Sequence, residues 1–131
     1  MPTRRAQCSC GQLSAVCTGE PVRVSVCHCL ECKRRSGSAF SFNAQWAAEN
    51  VVITGAAKEF ARIGDEGTRA VFSFCPECGV TVYYRPAQPG IVAIPAGAFA
   101  DVSFPQPGVS VYEERKCAWM EIRAEPLERW D

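Results

Sequence analysis

Apolar and polar residues alternate over short stretches along much of this chain. Val22-Arg23-Val24-Ser25-Val26 and Phe40-Ser41-Phe42-Asn43-Ala44 put apolar side chains at every second position, the period of a strand with one buried face. Ala70-Val71-Phe72-Ser73-Phe74 and Thr81-Val82-Tyr83-Tyr84 are rich in β-branched and aromatic residues, which suit a pleated surface. Leu13 to Cys17, Val51 to Thr54, Glu59 to Ile63, Ile91 to Ile94 and Val109 to Glu113 read as further short strands. Gly, Pro and Asn punctuate the gaps, as in Gly19-Glu20-Pro21, Pro86 to Gly90 and Pro105 to Gly108. No apolar stripe of 3.6-residue period lasts three turns. Helix is therefore expected only as single turns, at Cys32 to Arg35 and Gln45 to Glu49. The pattern predicts a mainly β fold of short antiparallel strands. Without a repeat, a low-complexity tract or a long linker, residues 1–131 are expected to form a single domain.

A chain of 131 residues can bury about two-thirds of its extended surface, so an ordinary core is available without disulfides. Fourteen basic and fourteen acidic side chains give a formal charge of zero. That balance offers no field for nucleic acid or an anionic membrane, and neither is expected as a partner. No run of 18 apolar residues is present to span a bilayer. Met1-Pro2-Thr3-Arg4-Arg5 begins like an export signal, but Ala6-Gln7-Cys8-Ser9-Cys10 stands where the apolar stretch belongs, so a cytoplasmic location is expected.

Nine cysteines then change the picture. In a reducing compartment, cysteine pairs are more often metal ligands or catalytic thiols than disulfides, and an odd number cannot pair off completely. Seven fall into three groups: Cys8-Ser9-Cys10-Gly11, Cys27-His28-Cys29-Leu30-Glu31-Cys32 and Cys75-Pro76-Glu77-Cys78-Gly79. A Cys-x-x-Cys step at a turn brings two sulfurs to one ion, and the following glycine supplies a backbone conformation that other residues resist. Phe74 to Gly79, between two strands, is therefore a zinc knuckle. A redox dithiol of that spacing would precede a helix.

Two ligands do not complete a closed tetrahedral site. Cys75 and Cys78 could be joined by Cys8 and Cys10, or by Cys29 and Cys32 as a simple zinc ribbon, and spacing alone barely separates the two. Cys27, Cys29 and Cys32 lie too close together to be divided easily between two ions, and three protein ligands leave a fourth position for water or substrate, as in catalytic zinc sites. The plainer alternative is a structural site completed by Cys17, Cys117 or His28. His28 sits between two candidate ligands whose side chains point away from its own, so it is expected behind the ligands or facing substrate. Cys17 and Cys117 read as small buried apolar residues.

At these residues the sequence resembles the glutathione-dependent formaldehyde-activating enzyme family, which includes centromere protein V. The resemblance rests on Cys8-x-Cys10-Gly11, on Cys27-His28-Cys29-x-x-Cys32-Lys33-Arg34 followed by Ser36-Gly37-Ser38, and on Phe74-Cys75-x-x-Cys78-Gly79. Glu114 to Glu121 resembles the family's closing segment, so the match runs from about Arg4 to Arg123. The resemblance implies a zinc-binding β-tent fold with two zinc ions: Cys8, Cys10, Cys75 and Cys78 on a structural zinc, and Cys27, Cys29 and Cys32 on an exchangeable one. It also implies a carbon-sulfur lyase-like reaction, formation of S-hydroxymethylglutathione from formaldehyde and glutathione. Lys33, Arg34 and Arg35 become candidate contacts for glutathione's carboxylates, and Arg69, Tyr83, Tyr84 and Arg85 are further candidates for a pocket. The centromere-protein branch supplies the alternative, a non-catalytic zinc-binding interaction module, with a redox or metal-handling protein as a third reading.

Overall fold

The alternation is realised as eleven strands in the computed structural model, which describes residues 1–64 and 67–131. In chain order they are β1 (Thr3–Gln7), β2 (Ser14–Thr18), β3 (Arg23–Cys27), β4 (Ser41–Ala47), β5 (Val51–Thr54), β6 (Lys58–Ile63), β7 (Arg69–Phe74), β8 (Thr81–Arg85), β9 (Ile91–Pro95), β10 (Val109–Val111) and β11 (Glu128–Arg129). One α-helix, α1 (Leu30–Ser36), follows β3. The strands form two sheets, a small one in the order β1-β2-β5 and a large one in the order β11-β10-β3-β4-β9-β8-β7-β6.

Alternation decides which side chains enter the core. Ala6, Ala15 and Cys17 from the small sheet are buried together with Ala44, Trp46, Val82, Val92 and Ile94 from the large one. Trp46 is the bulkiest of these, and its indole N–H donates to the Gly19 carbonyl at 3.0 Å, so its one polar atom is satisfied indoors. Leu13, Cys8 and Cys75 complete the same cluster, which ties two cysteine turns to the main core.

Each of the nine expected strands is present, with ends shifted by at most a few residues. The antiparallel expectation describes most pairings, but β10 lies parallel to both β3 and β11. Two strands carried no readable signal. β1 is Thr-Arg-Arg-Ala-Gln, and only Ala6 is buried; it becomes a strand because it pairs residue for residue with β2, Ala6 opposite Ala15. β11 has two exposed residues and exists through its pairing with β10.

The helical expectations need correction. The turn at Cys32 to Arg35 is part of the longer α1, ended by Gly37 in a left-handed conformation at φ 66°. Gln45 to Glu49 is not a helical turn. Gln45, Trp46 and Ala47 continue β4 opposite β9, because Trp46 must stay in phase with buried Ala44, and a 3-10 turn covers only Ala48–Asn50. Among the described residues no helix is long and apolar enough to cross a membrane.

Candidate metal centre

Two hairpins build the first cysteine group. The β1–β2 turn carries Cys8 and Cys10, and the β7–β8 turn carries Cys75 and Cys78. Cys8 N–H donates to the Leu13 carbonyl and Cys75 N–H to the Val80 carbonyl, each at 3.0 Å, so the two turns close in the same way. Gly11 at φ 83° and Gly79 at φ 80° then turn the chain through the left-handed region, where a side chain would be strained. The four sulfurs all lie within 4.8 Å of one another, with Cys8–Cys10 and Cys10–Cys75 separations of 3.6 Å. A tetrahedral zinc with Zn–S bonds of about 2.3 Å sets sulfur separations near 3.8 Å. A disulfide would need about 2.05 Å, and none of the cysteines is bridged.

The surroundings favour thiolates. Gln12 Nε2 donates to the Cys75 sulfur at 3.0 Å, Glu77 N–H to the same sulfur at 3.4 Å, and Leu13 N–H to the Cys8 sulfur at 3.4 Å. Burial pushes the Cys75 and Cys8 thiols up, but these donors and the neighbouring thiols outweigh it and hold both below the usual value. Cys10 moves the other way: the Gln12 backbone amide pulls it down, while Cys75 and Cys8, as acceptors, hold its proton and push it up. A divalent cation replaces such a shared proton and satisfies every sulfur at once. The donor set fits a closed four-thiolate zinc, and the zinc-ribbon pairing through Cys29 and Cys32 does not form.

The second group lies where β3 runs into α1. Cys27 ends β3, Cys29 caps the helix by accepting the Cys32 N–H at 3.3 Å, and Cys32 lies in the first turn. Their sulfurs also lie within 4.8 Å of one another, and no fourth His, Cys, Asp or Glu ligand atom joins them among the described residues. The Cys27 thiol donates toward Cys32, which drives Cys32 well down and Cys27 well up. This set fits a metal held by three thiolates with one position left for another ligand.

His28 is not one of those ligands. It is fully buried, and its Nε2 lies 3.0 Å from the Ser110 hydroxyl, which itself donates to the Glu113 carboxylate. A serine has one proton to give, so Ser110 accepts from His28, and the imidazole carries its proton on Nε2. Burial pushes the imidazole's pKa down against the pull of Glu113 and keeps it neutral. With His28 N–H bonded to the Val111 carbonyl at 3.1 Å, the cysteine loop is fastened to β10 through both backbone and side chain.

A cavity of about 390 Å³ opens beside the three cysteines, walled by all three and by Arg62, Tyr112 and Arg115. A smaller one of about 200 Å³ shares Cys32 and Arg62 with it and continues to Arg35, Arg69, Phe72 and Tyr84. The larger hollow at the β10–β11 edge, about 820 Å³, contains no cysteine, so size alone does not locate the chemistry.

The basic residues separate. Lys33 is held by the Arg115 carbonyl and lies 3.6 Å from the Cys117 sulfur, and Arg34 pairs with Glu31 on the surface. Arg35 alone of the three walls the smaller cavity, joined there by Arg69 and Tyr84 but not by Tyr83 or Arg85. Cys17 is buried as expected, whereas Cys117 is only half-buried, beside the Lys33 ammonium. Arg62, Ser110 and Glu113 escaped sequence reasoning. They lie 30 or more positions from the middle cysteines and carry no motif; strand pairing brings in Arg62 and Ser110, and the 3-10 turn that follows β10 brings in Glu113.

Against known proteins, the sequence model of the glutathione-dependent formaldehyde-activating enzyme family matches residues 3–115. No curated protein matches the chain. A Rhodobacter sphaeroides protein solved by the Northeast Structural Genomics effort aligns with TM-score 0.56 at 16% identity, over 97% of this chain and 99% of that one. That likeness is one of fold.

Proposed function

The chain belongs to the glutathione-dependent formaldehyde-activating enzyme family, and from that premise we propose that its three-cysteine group is the reacting centre of a zinc-dependent carbon-sulfur lyase. Its substrate is glutathione or a related thiol adduct. The observation that supports this reading is the incomplete ligand set: three sulfurs within 4.8 Å, no fourth donor among the described residues, and a cavity of about 390 Å³ alongside. A closed structural site would have no use for that opening. Cys27, Cys29 and Cys32 would hold the zinc, which supplies a coordination position where a thiol is deprotonated at neutral pH.

The chain's own residues set the rest. Three cysteinates outweigh one divalent ion by one charge, which makes the centre a poor electrophile and suits delivery of a thiolate better than activation of water. Condensation with formaldehyde breaks the S–H bond, forms a C–S bond at the carbonyl carbon and places a proton on the carbonyl oxygen, with no oxidant or reductant. Of Lys33, Arg34 and Arg35, the reading favours Arg35 as a contact for a glutathione carboxylate, because it walls a cavity that Cys32 also walls, while Lys33 donates to the Arg115 carbonyl and Arg34 pairs with Glu31 at the surface. The functional unit would be the whole of residues 1–131, since β10 fastens the cysteine loop. Nine free thiols suit a reducing cytoplasm.

Exchange NMR of formaldehyde with glutathione tests the reading on zinc-loaded protein. The expected result is exchange faster than the spontaneous reaction, with the excess lost in Cys29→Ser. A rate equal to the spontaneous one would refute glutathione and formaldehyde as the substrates and favour a different thiol adduct or the interaction module.

A further inference from the structure

Where β10 ends, one residue adopts a backbone conformation that its side chain resists. Val111 lies opposite Cys27 in the parallel β10–β3 pairing, and the next residue, Tyr112, has φ 56° and ψ 43°, in the left-handed region. A bulky aromatic is seldom found there. Hydrogen bonds hold it in place from both sides: the Val111 carbonyl accepts from His28 N–H at 3.1 Å, the Tyr112 carbonyl from Arg115 N–H at 3.0 Å, and the Trp130 carbonyl from Glu113 N–H at 2.8 Å. Strain fixed by its surroundings in this way clusters at functional sites. Tyr112 is half-buried and walls the cavity of about 390 Å³ that Cys27, Cys29 and Cys32 also wall.

The conformation has a structural use, since it starts the 3-10 turn that returns Glu113 to Ser110. Glycine or asparagine would make the same turn with less strain, so the turn does not account for an aromatic side chain here. What tyrosine adds is a phenol beside the three cysteines, its ring centre 5.5 Å from the Arg115 guanidinium. The condensation described above needs a proton at the carbonyl oxygen, and the other described groups around the cavity are poor sources of one. An arginine gives up no proton in a protein, which sets aside Arg62 and Arg115. The Thr68 hydroxyl is no more acidic than the alcohol being formed, and Glu31 is engaged by Arg34 at the surface. The cysteines are committed to the metal. Water serves the spontaneous reaction; a donor fixed in place is what the protein can add.

We infer that Tyr112 is a catalytic residue of the three-cysteine centre, the donor of a proton to the carbonyl oxygen of the aldehyde. This rests on the thiol reading above and adds to it the group that completes the step. The thiol's proton leaves to solvent as its sulfur enters the three-cysteine centre. The sulfur then bonds the carbonyl carbon, the carbonyl π pair passes to oxygen, and that oxygen takes the Tyr112 phenol proton. Solvent returns a proton to the phenolate, so atoms and electrons balance without oxidant or reductant. A phenol is a stronger acid than the alcohol it protonates, so the transfer runs downhill.

Exchange NMR of formaldehyde with saturating glutathione, joined to calorimetric titration of glutathione, tests the assignment on zinc-loaded protein. Tyr112→Phe keeps the ring and removes the proton; it should bind glutathione within about twofold of wild type and lose about 100-fold of the exchange in excess of the spontaneous reaction. Tyr112→Asn suits the left-handed backbone and should keep the fixed imidazole signal of the chain's one histidine, which reports that Glu113 still reaches Ser110, yet lose the excess exchange as well. Excess exchange that survives in either folded variant overturns the assignment and leaves the thiol reading standing. Glutathione binding that weakens in Tyr112→Phe in proportion to the lost exchange also overturns it, because the hydroxyl would then hold the thiol and not protonate the carbonyl. Wild type that exchanges no faster than the spontaneous reaction removes the substrates, and the step assigned to Tyr112 falls with them. Tyr112→Phe, which alters no ring carbon, decides the question alone if Tyr112→Asn does not fold.

Discussion

Ser110→Ala removes one oxygen atom from the middle of a buried relay and is expected to destabilise the zinc-loaded protein by about 2–4 kcal/mol. The figure follows from what that hydroxyl touches. It accepts from His28 Nε2 at 3.0 Å and donates to Glu113, with Ser110 and His28 both fully buried. The bond to the carboxylate is charge-assisted, worth about 1.5–3 kcal/mol, and the imidazole N–H left without its acceptor adds a penalty of about 1 kcal/mol or more. Glu113 keeps Arg129 at 3.3 Å and Lys116 at 3.7 Å, which holds the total below the sum of the upper limits. At about 3–5 °C per kcal/mol for a chain of this size, the melting temperature should fall by on the order of 10 °C. A second readout comes from composition, because the chain has one histidine. A long-range ¹H–¹⁵N spectrum therefore contains one imidazole, which should show a protonated Nε2 and a bare Nδ1 in wild type and lose that fixed pattern in the variant. A loss below about 0.5 kcal/mol together with an unchanged imidazole would refute the relay.

Protein prepared without chelator should contain two zinc ions per chain by its two cysteine groups; Cys78→Ser should unfold or aggregate because the four-thiolate site contributes folding free energy, whereas Cys29→Ser should remain folded with about one zinc. Equal collapse of both variants would make the middle site structural. Burial pushes the Glu113 carboxyl up, but the Ser110 hydroxyl, Lys116 and Arg129 outweigh it and hold its pKa below the ordinary value. The unfolded chain then binds the proton more readily, so this contribution is complete above about pH 4.3 and is lost as pH falls through the folded pKa. Glu113→Gln should therefore be less stable than wild type at pH 7, by a margin that shrinks below about pH 4.3 in urea unfolding; a margin that widens there would reverse the assigned sign.

Much of this molecule is local, and local features can be read directly. The knuckles at Cys8 to Gly11 and Cys75 to Gly79 announce themselves because a metal turn needs its ligands and its left-handed glycine within a few residues. The nine expected strands are legible for the same reason, since side-chain alternation is a nearest-neighbour property. Gln45 to Glu49 shows the limit: taken alone it suits a turn of helix, and only the facing β9 holds Trp46 in strand phase. β1 is the converse, a polar segment made into a strand by its partner.

By itself, then, the sequence determined the β class, the three cysteine groups and their capacity for metal, because each depends on residues close together along the chain. Tertiary structure decided which groups share an ion, by bringing two hairpins 65 positions apart to within 3.6 Å of each other. It also fastened His28 to Ser110 and Glu113 and set Arg62 beside Arg35 over one pair of aromatic rings. Those placements depend on the register of strands distant in sequence, and register is a property of the assembled sheet.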